Sequence, residues 1–133
     1  MGAPEIQVKR LHVEPNNCPL DSPLTLTLEF SCAQDLQNVT WEVQYVVDMT
    51  AKRHVLQLGS TPSTTYPAGE TKLEFKVDQI NTEGVKNSWL NNVGLLLVVL
   101  RDAAEMELFQ LSMVTQIEKR DGHFFRNMLS PLE

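Results

Sequence analysis

The stretch Leu24-Thr25-Leu26-Thr27-Leu28-Glu29-Phe30-Ser31 decides the fold. Large apolar residues hold its even positions and polar ones its odd positions, a period of two that an extended strand turns into one buried and one wet face. The same pattern recurs further along. Val39, Trp41, Val43, Tyr45 and Val47 alternate with Thr40, Glu42 and Gln44, and Leu73, Phe75 and Val77 lie between Lys72, Glu74, Lys76 and Asp78. Trp41 and Phe75 stand in the middle of such runs and are expected in the core. Ile6-Gln7-Val8 followed by Leu11-His12-Val13 reads as a strand whose parity slips near Lys9-Arg10, as a bulge would make it do. His54 to Leu58 is a weaker strand.

Turn chemistry separates these runs: Glu14-Pro15-Asn16-Asn17 with Pro19 and Pro23, Gly59-Ser60-Thr61-Pro62-Ser63, and Tyr66-Pro67-Ala68-Gly69. No long helical pattern competes, although Asn81 to Asn92 is expected to hold one helical turn and Asp121 to Leu129 a short terminal helix. Short strands spaced by such turns predict an all-β, immunoglobulin-like antiparallel β-sandwich, one domain over residues 1–133. The cysteine pair around a core tryptophan that marks antibody domains is missing.

With 133 residues, 42% of them apolar and 21% charged, the chain can bury one core. Eleven Lys and Arg against seventeen Asp and Glu give a net charge of −6, which disfavours direct contact with nucleic acid or anionic membrane and suits a basic or neutral partner. No signal peptide opens the chain and its longest apolar stretch is far short of a membrane span, so a nuclear or cytoplasmic protein is expected, as a monomer. Cys18 and Cys32 are expected as free thiols, Cys32 buried.

Two stretches exceed what a half-buried strand needs. Leu95-Leu96-Leu97-Val98-Val99-Leu100 is apolar on both faces, although a two-layer sandwich uses only one. The surplus face is either covered by a loop or the C-terminal segment, or is an exposed apolar stripe of the kind that binds proteins. From Glu107 to Ile117, Phe109, Leu111, Met113 and Ile117 share the core parity, leaving Leu108, Gln110, Ser112, Val114 and Gln116 outside. If these two strands pair, a shallow apolar strip forms around Leu97 and Val114 with Gln110 beside it, where a partner helix could lie.

Signs of catalysis are absent. There is no nucleophile elbow, no metal-ligand spacing and no glycine-rich phosphate loop, and His12, His54 and His123 are scattered. Glu105 and Glu107 read as a solvated rim and not as an acid/base pair. Lys52-Arg53 and Lys119-Arg120 are too small for a nucleic-acid stripe. A non-enzymatic protein with no cofactor and no metal is expected.

Taken in order, "LTLTLEFSCAQDL", "WEVQYVVD", "YPAGETKLEFKVDQIN", "NVGLLLVVL" and "FFRNML" resemble the anti-silencing-function family of histone chaperones, from about Glu5 to Leu129. The resemblance implies an immunoglobulin-like sandwich that binds the histone H3-H4 dimer in chromatin assembly and disassembly, and a nuclear protein with a cytoplasmic pool. It implies that Leu95, Leu97 and Val99 supply the aliphatic part of the grip on a histone H3 helix. Gln110 stands at the position of the family's Arg, and Met113 and Val114 at its Tyr pair, so a charge and two aromatic anchors are replaced. The family's acidic pair for partner chaperones falls near Gln37-Asn38, both neutral. After its block resembling Arg126 to Leu129 the family has a final strand that pairs with the tail of histone H4. This chain runs to Ser130-Pro131-Leu132-Glu133, so it is either cut there or lacks that contact. The partner-binding residues expected are Leu95, Leu97, Val99, Gln110 and Val114. The competing reading keeps the scaffold and changes the partner, a non-chromatin adaptor that takes another helix or strand on the same strip.

Overall fold

The computed structural model describes residues 5–48, 53–82, 90 and 93–129. Ten strands follow in chain order: β1 Ile6–Glu14, β2 Cys18–Pro19, β3 Leu24–Cys32, β4 Leu36–Asp48, β5 Arg53–Ser60, β6 Thr64–Tyr66, β7 Gly69–Val77, β8 Gly94–Arg101, β9 Glu107–Arg120 and β10 His123–Leu129. They form a three-stranded sheet in the order β1-β3-β7 and a larger one in the order β2-β10-β9-β8-β4-β5, with β6 joined to β4. Every pairing is antiparallel. The even row of β3 and the odd row of β4 meet between the sheets, where Leu24, Leu26, Leu28 and Phe30 are buried with Trp41, Val43, Tyr45 and Val47. Phe30 sets its ring edge-on to Trp41 at 5.3 Å and to Tyr66 at 5.4 Å, the offset that aromatic quadrupoles prefer. The molecule is the immunoglobulin-like antiparallel β-sandwich that the alternation implies.

The bulge in β1 lies where parity slips, between Val8 and Arg10. Cys32 is buried and Cys18 partly so, and both are free thiols. Phe75, expected in the deep core, is only half-buried: β7 is an edge strand, so one flank of the ring has no neighbouring strand to cover it. The short helix expected from Asp121 to Leu129 is instead β10. Asp121 and Gly122 have φ of 49° and 80°, the left-handed pair of a two-residue hairpin turn, and the chain folds straight back onto β9. The helical turn expected from Asn81 to Asn92 falls mostly outside the described residues.

Folding β10 back brings Arg126 into the interior, where it is almost fully buried. Its Nη1 donates to the carbonyls of Leu20 and Ser22 at 2.9 and 2.7 Å, and its Nη2 to those of Pro23 and Pro15 at 2.9 and 3.3 Å. Desolvation lowers its pKa from the ordinary value, opposed by the nearby Cys18, Asp21 and Tyr45. The guanidinium thus ties the β1–β3 connection to the last strand. Backbone bonds from Asn17 to Arg126 and from Leu20 to Phe124, both 2.8 Å, complete the attachment.

Candidate functional site

The face of the larger sheet turned away from the core is set by strand register. Val46 of β4 lies opposite Val55 of β5 on one side and Leu95 of β8 on the other. Leu95 faces Val114 of β9, and Val114 faces Leu129 of β10. Five apolar residues therefore line up across five strands. Val55, Val114 and Leu129 are 45%, 44% and 42% exposed, Leu95 at the centre is half-buried, and Val46 is buried. The next row reads Gln57, Gln44, Leu97 and Ser112, and the one after it has Glu42, Val99 and Gln110.

The expected pairing of the two strands around Leu97 and Val114 is present, and Leu95, Leu97, Gln110 and Val114 share one face. Leu97 is half-buried and Gln110 exposed. Val99 shares that face but is only 1% exposed, so it is no part of an exposed strip. Long side chains surround it: Glu42 opposite on β4, Gln110 opposite on β9, and Arg101 two residues on, whose Nε reaches Glu42 at 3.0 Å. Gln44 also donates to Glu42, which makes this end of the face polar. Met113 is buried in the core, because successive residues of a strand point to opposite sides, so of the two positions resembling the family's Tyr pair only Val114 faces out.

Val46, Val55 and Leu129 were not legible as part of this surface. Val46 breaks the alternation of its run, which was the available signal. Val55 sits in the weaker strand, and Leu129 in the segment expected to be helical. Near Gln37-Asn38, Asn38 takes φ 53° at an irregularity in the β4–β6 pairing and is exposed. Among the described residues no three His, Cys, Asp or Glu side chains converge as metal ligands. His12 bonds Glu14 at 2.7 Å, while His54 and His123 are exposed. The outer face presents shape and apolarity.

The chain is 26% identical over 97 residues to histone chaperone asf1b of Xenopus tropicalis and to histone chaperone asf1a-B of Xenopus laevis, covering 72% of this chain and 48% of each relative. It thus spans about half the length of these curated relatives. Among solved structures it is similar to Spo0M, a sporulation control protein of Bacillus subtilis, with 14% identity and a TM-score of 0.46 over 98% of this chain and 50% of that one. A model of the ASF1-like histone chaperone family matches residues 3–124. That match takes in β1 through β9 and all of the outer apolar row except Leu129, and the chain belongs to the ASF1-like histone chaperone family.

Proposed function

We propose that the protein binds the histone H3-H4 dimer through the outer face of its larger sheet, for chromatin assembly and disassembly in the nucleus with a cytoplasmic pool. It does so by surface complementarity, without catalysis, metal or cofactor. The observation that carries this reading is the apolar row Val55-Val46-Leu95-Val114-Leu129. With strands ~4.8 Å apart the row is about 19 Å long, which matches three to four helical turns at ~5.4 Å each. A helix that presents one apolar stripe would lie across the strands, over Leu95, Leu97 and Val114, with Gln110 at the rim and Val99 in the floor. The net charge of −6 suits a basic partner.

Leu97→Glu and Val114→Arg test this directly. Each places a charge on an exposed or half-exposed face, where it costs the free protein little and costs a desolvated interface several-fold more. Binding of purified H3-H4 by calorimetry should be abolished while the melting temperature stays near that of the parent. A variant that binds normally, or one that melts early, removes this surface from the account. Capture from a native lysate of a non-chromatin assembly, without core histones, would favour the adaptor reading.

A further inference from the structure

Polar side chains gather in the core directly beneath the outer apolar row. Leu95 and Val114 stand in that row, and their chain neighbours Gly94 and Thr115, opposite one another across β8 and β9, hold positions that face the core. Thr115 is 0% exposed, and its Oγ1 has no hydrogen-bond partner. The Tyr45 hydroxyl, itself in the interior, reaches the place that a Cβ on Gly94 would take. Opposed positions in a sheet have their Cβ atoms about 5 Å apart, so the two hydroxyls are neighbours, yet they do not bond each other. Among the described residues nothing else bonds the Tyr45 hydroxyl.

Arg126 joins them from β10. It stands opposite Ile117, two residues from Thr115, a diagonal of about 7 Å that a long side chain spans. Its Nη atoms are taken up by four carbonyls, but its Nε, equally buried, has no partner. The guanidinium charge is felt at the Tyr45 phenol, which places the two side chains close together. One further buried polar atom lacks a partner among the described residues, Trp41 Nε1, and it is remote, because Trp41 is in register with Leu100 at the far end of β8.

Buried polar groups in folded proteins are satisfied almost without exception, by protein or by ordered water. Three orphans from three strands meeting at one end of the core therefore call for a common partner. Donor counting selects its chemistry. Nε–H only donates, whereas each hydroxyl can donate or accept, so a water can accept from Nε and one hydroxyl and donate to the other, about the three bonds usual for a buried water. An anion would use neither hydroxyl as an acceptor, and Asp21 already lies near the guanidinium in a chain of net charge −6.

We propose that the interior of the sandwich holds a binding site for one structural water, bonded by Tyr45 Oη, Thr115 Oγ1 and Arg126 Nε and joining β4, β9 and β10 beneath Leu95 and Val114. The site explains why Gly94 is bare: a side chain there would occupy the space in which the phenol meets the water. It extends the arginine clamp as well, since the same guanidinium that fastens the β1–β3 connection through its Nη atoms would reach the central strands through its Nε. The water lies on the core side of the sheet, so this inference is independent of what the outer face binds.

In water-selective nuclear Overhauser spectra of the full chain labelled with carbon-13 and nitrogen-15, the Arg126 Nε proton and the Thr115 methyl should show cross-peaks to a water that outlives molecular tumbling. Oxygen-17 relaxation dispersion should lose one long-lived water in Thr115→Val, which keeps the shape of the side chain and removes its hydroxyl. The same variant fixes the sign of the effect on stability. With the water bound, Thr115→Val and Tyr45→Phe each strip it of a partner and should lower the folded-to-unfolded ratio about fivefold in urea. The double variant should lose less than the two combined, because both act through one molecule. In a dry core, Thr115→Val instead removes an orphaned hydroxyl and raises the midpoint. Four results would overturn the proposal: no such cross-peaks in the parent protein, an unchanged dispersion in Thr115→Val, a raised midpoint in that variant, or a stability of the parent that rises in chloride over gluconate and ceases to do so in Thr115→Val, the mark of a bound anion. If Thr115→Val does not fold, the spectra of the parent protein decide alone.

Discussion

Gly94 opens β8 at a point where no side chain fits. A Cβ built there would collide with the Tyr45 hydroxyl and ring, which rise from β4 into the core. The constraint is steric and not conformational, since nothing about the backbone of Gly94 calls for glycine. Gly94→Ala should therefore cost ~1–3 kcal/mol, the usual penalty for overpacking a filled interior. Urea unfolding should show this loss, and Tyr45→Phe in the same chain should recover part of it by removing the oxygen that the new methyl meets. An unchanged midpoint for Gly94→Ala would mean that the tyrosine yields freely. At this scale alternation reads well where a strand has neighbours on both sides and poorly where it does not. Trp41 on β4, a central strand, is buried as expected, while Phe75 on β7, an edge strand, is half open. A single strand's pattern says which way a side chain points, but not how many strands flank it.

The β9–β10 hairpin shows what an element adds. Asp121-Gly122 between two β-prone runs is a strong short-range hairpin signal, and it outweighs the terminal helix expected from Asp121 to Leu129. The burial of Arg126 had no signal at all. Its partners are four main-chain oxygens more than a hundred residues away, which leave no side-chain signature. Arg126→Met keeps the apolar stem but leaves those carbonyls without their charged donor, at an expected cost of ~3 kcal/mol or more. Arg126→Lys should restore little, because an ammonium is a point donor and cannot span four carbonyls as the planar guanidinium does. Hydrogen exchange at Asn17 and Leu20, whose amides bond to β10, should quicken in both variants. If their protection is unchanged, the connection is held by something other than the arginine.

For the molecule as a whole, the buried phenols tie stability to pH. Tyr45 is raised well above its ordinary value of 10.0 by burial, opposed in part by Arg126, and Tyr66 is raised by burial against hydrogen bonds with Thr61 and Thr64. Above the ordinary value an unfolded chain gives up both phenolic protons while the folded chain keeps them. The unfolded state then binds fewer protons, and stability falls as pH rises past about 10. In an alkaline titration, phenolate absorbance should appear together with the loss of near-ultraviolet circular dichroism; phenolate formed earlier, in a folded protein, would contradict it. The outer apolar face was only half legible for a reason that also lies at this scale. The surplus apolarity of Leu95 to Leu100 could be seen in one strand, but a row across five strands exists only once their registers are fixed. Those registers place Val99 under polar neighbours and bring Val46, Val55 and Leu129 into line. The arginine clamp has a last consequence, for biosynthesis. A ribosome delivers the segment from Pro15 to Pro23 more than a hundred residues before Arg126, so the growing polypeptide must carry it unfastened until β10 emerges and the guanidinium can reach its carbonyls.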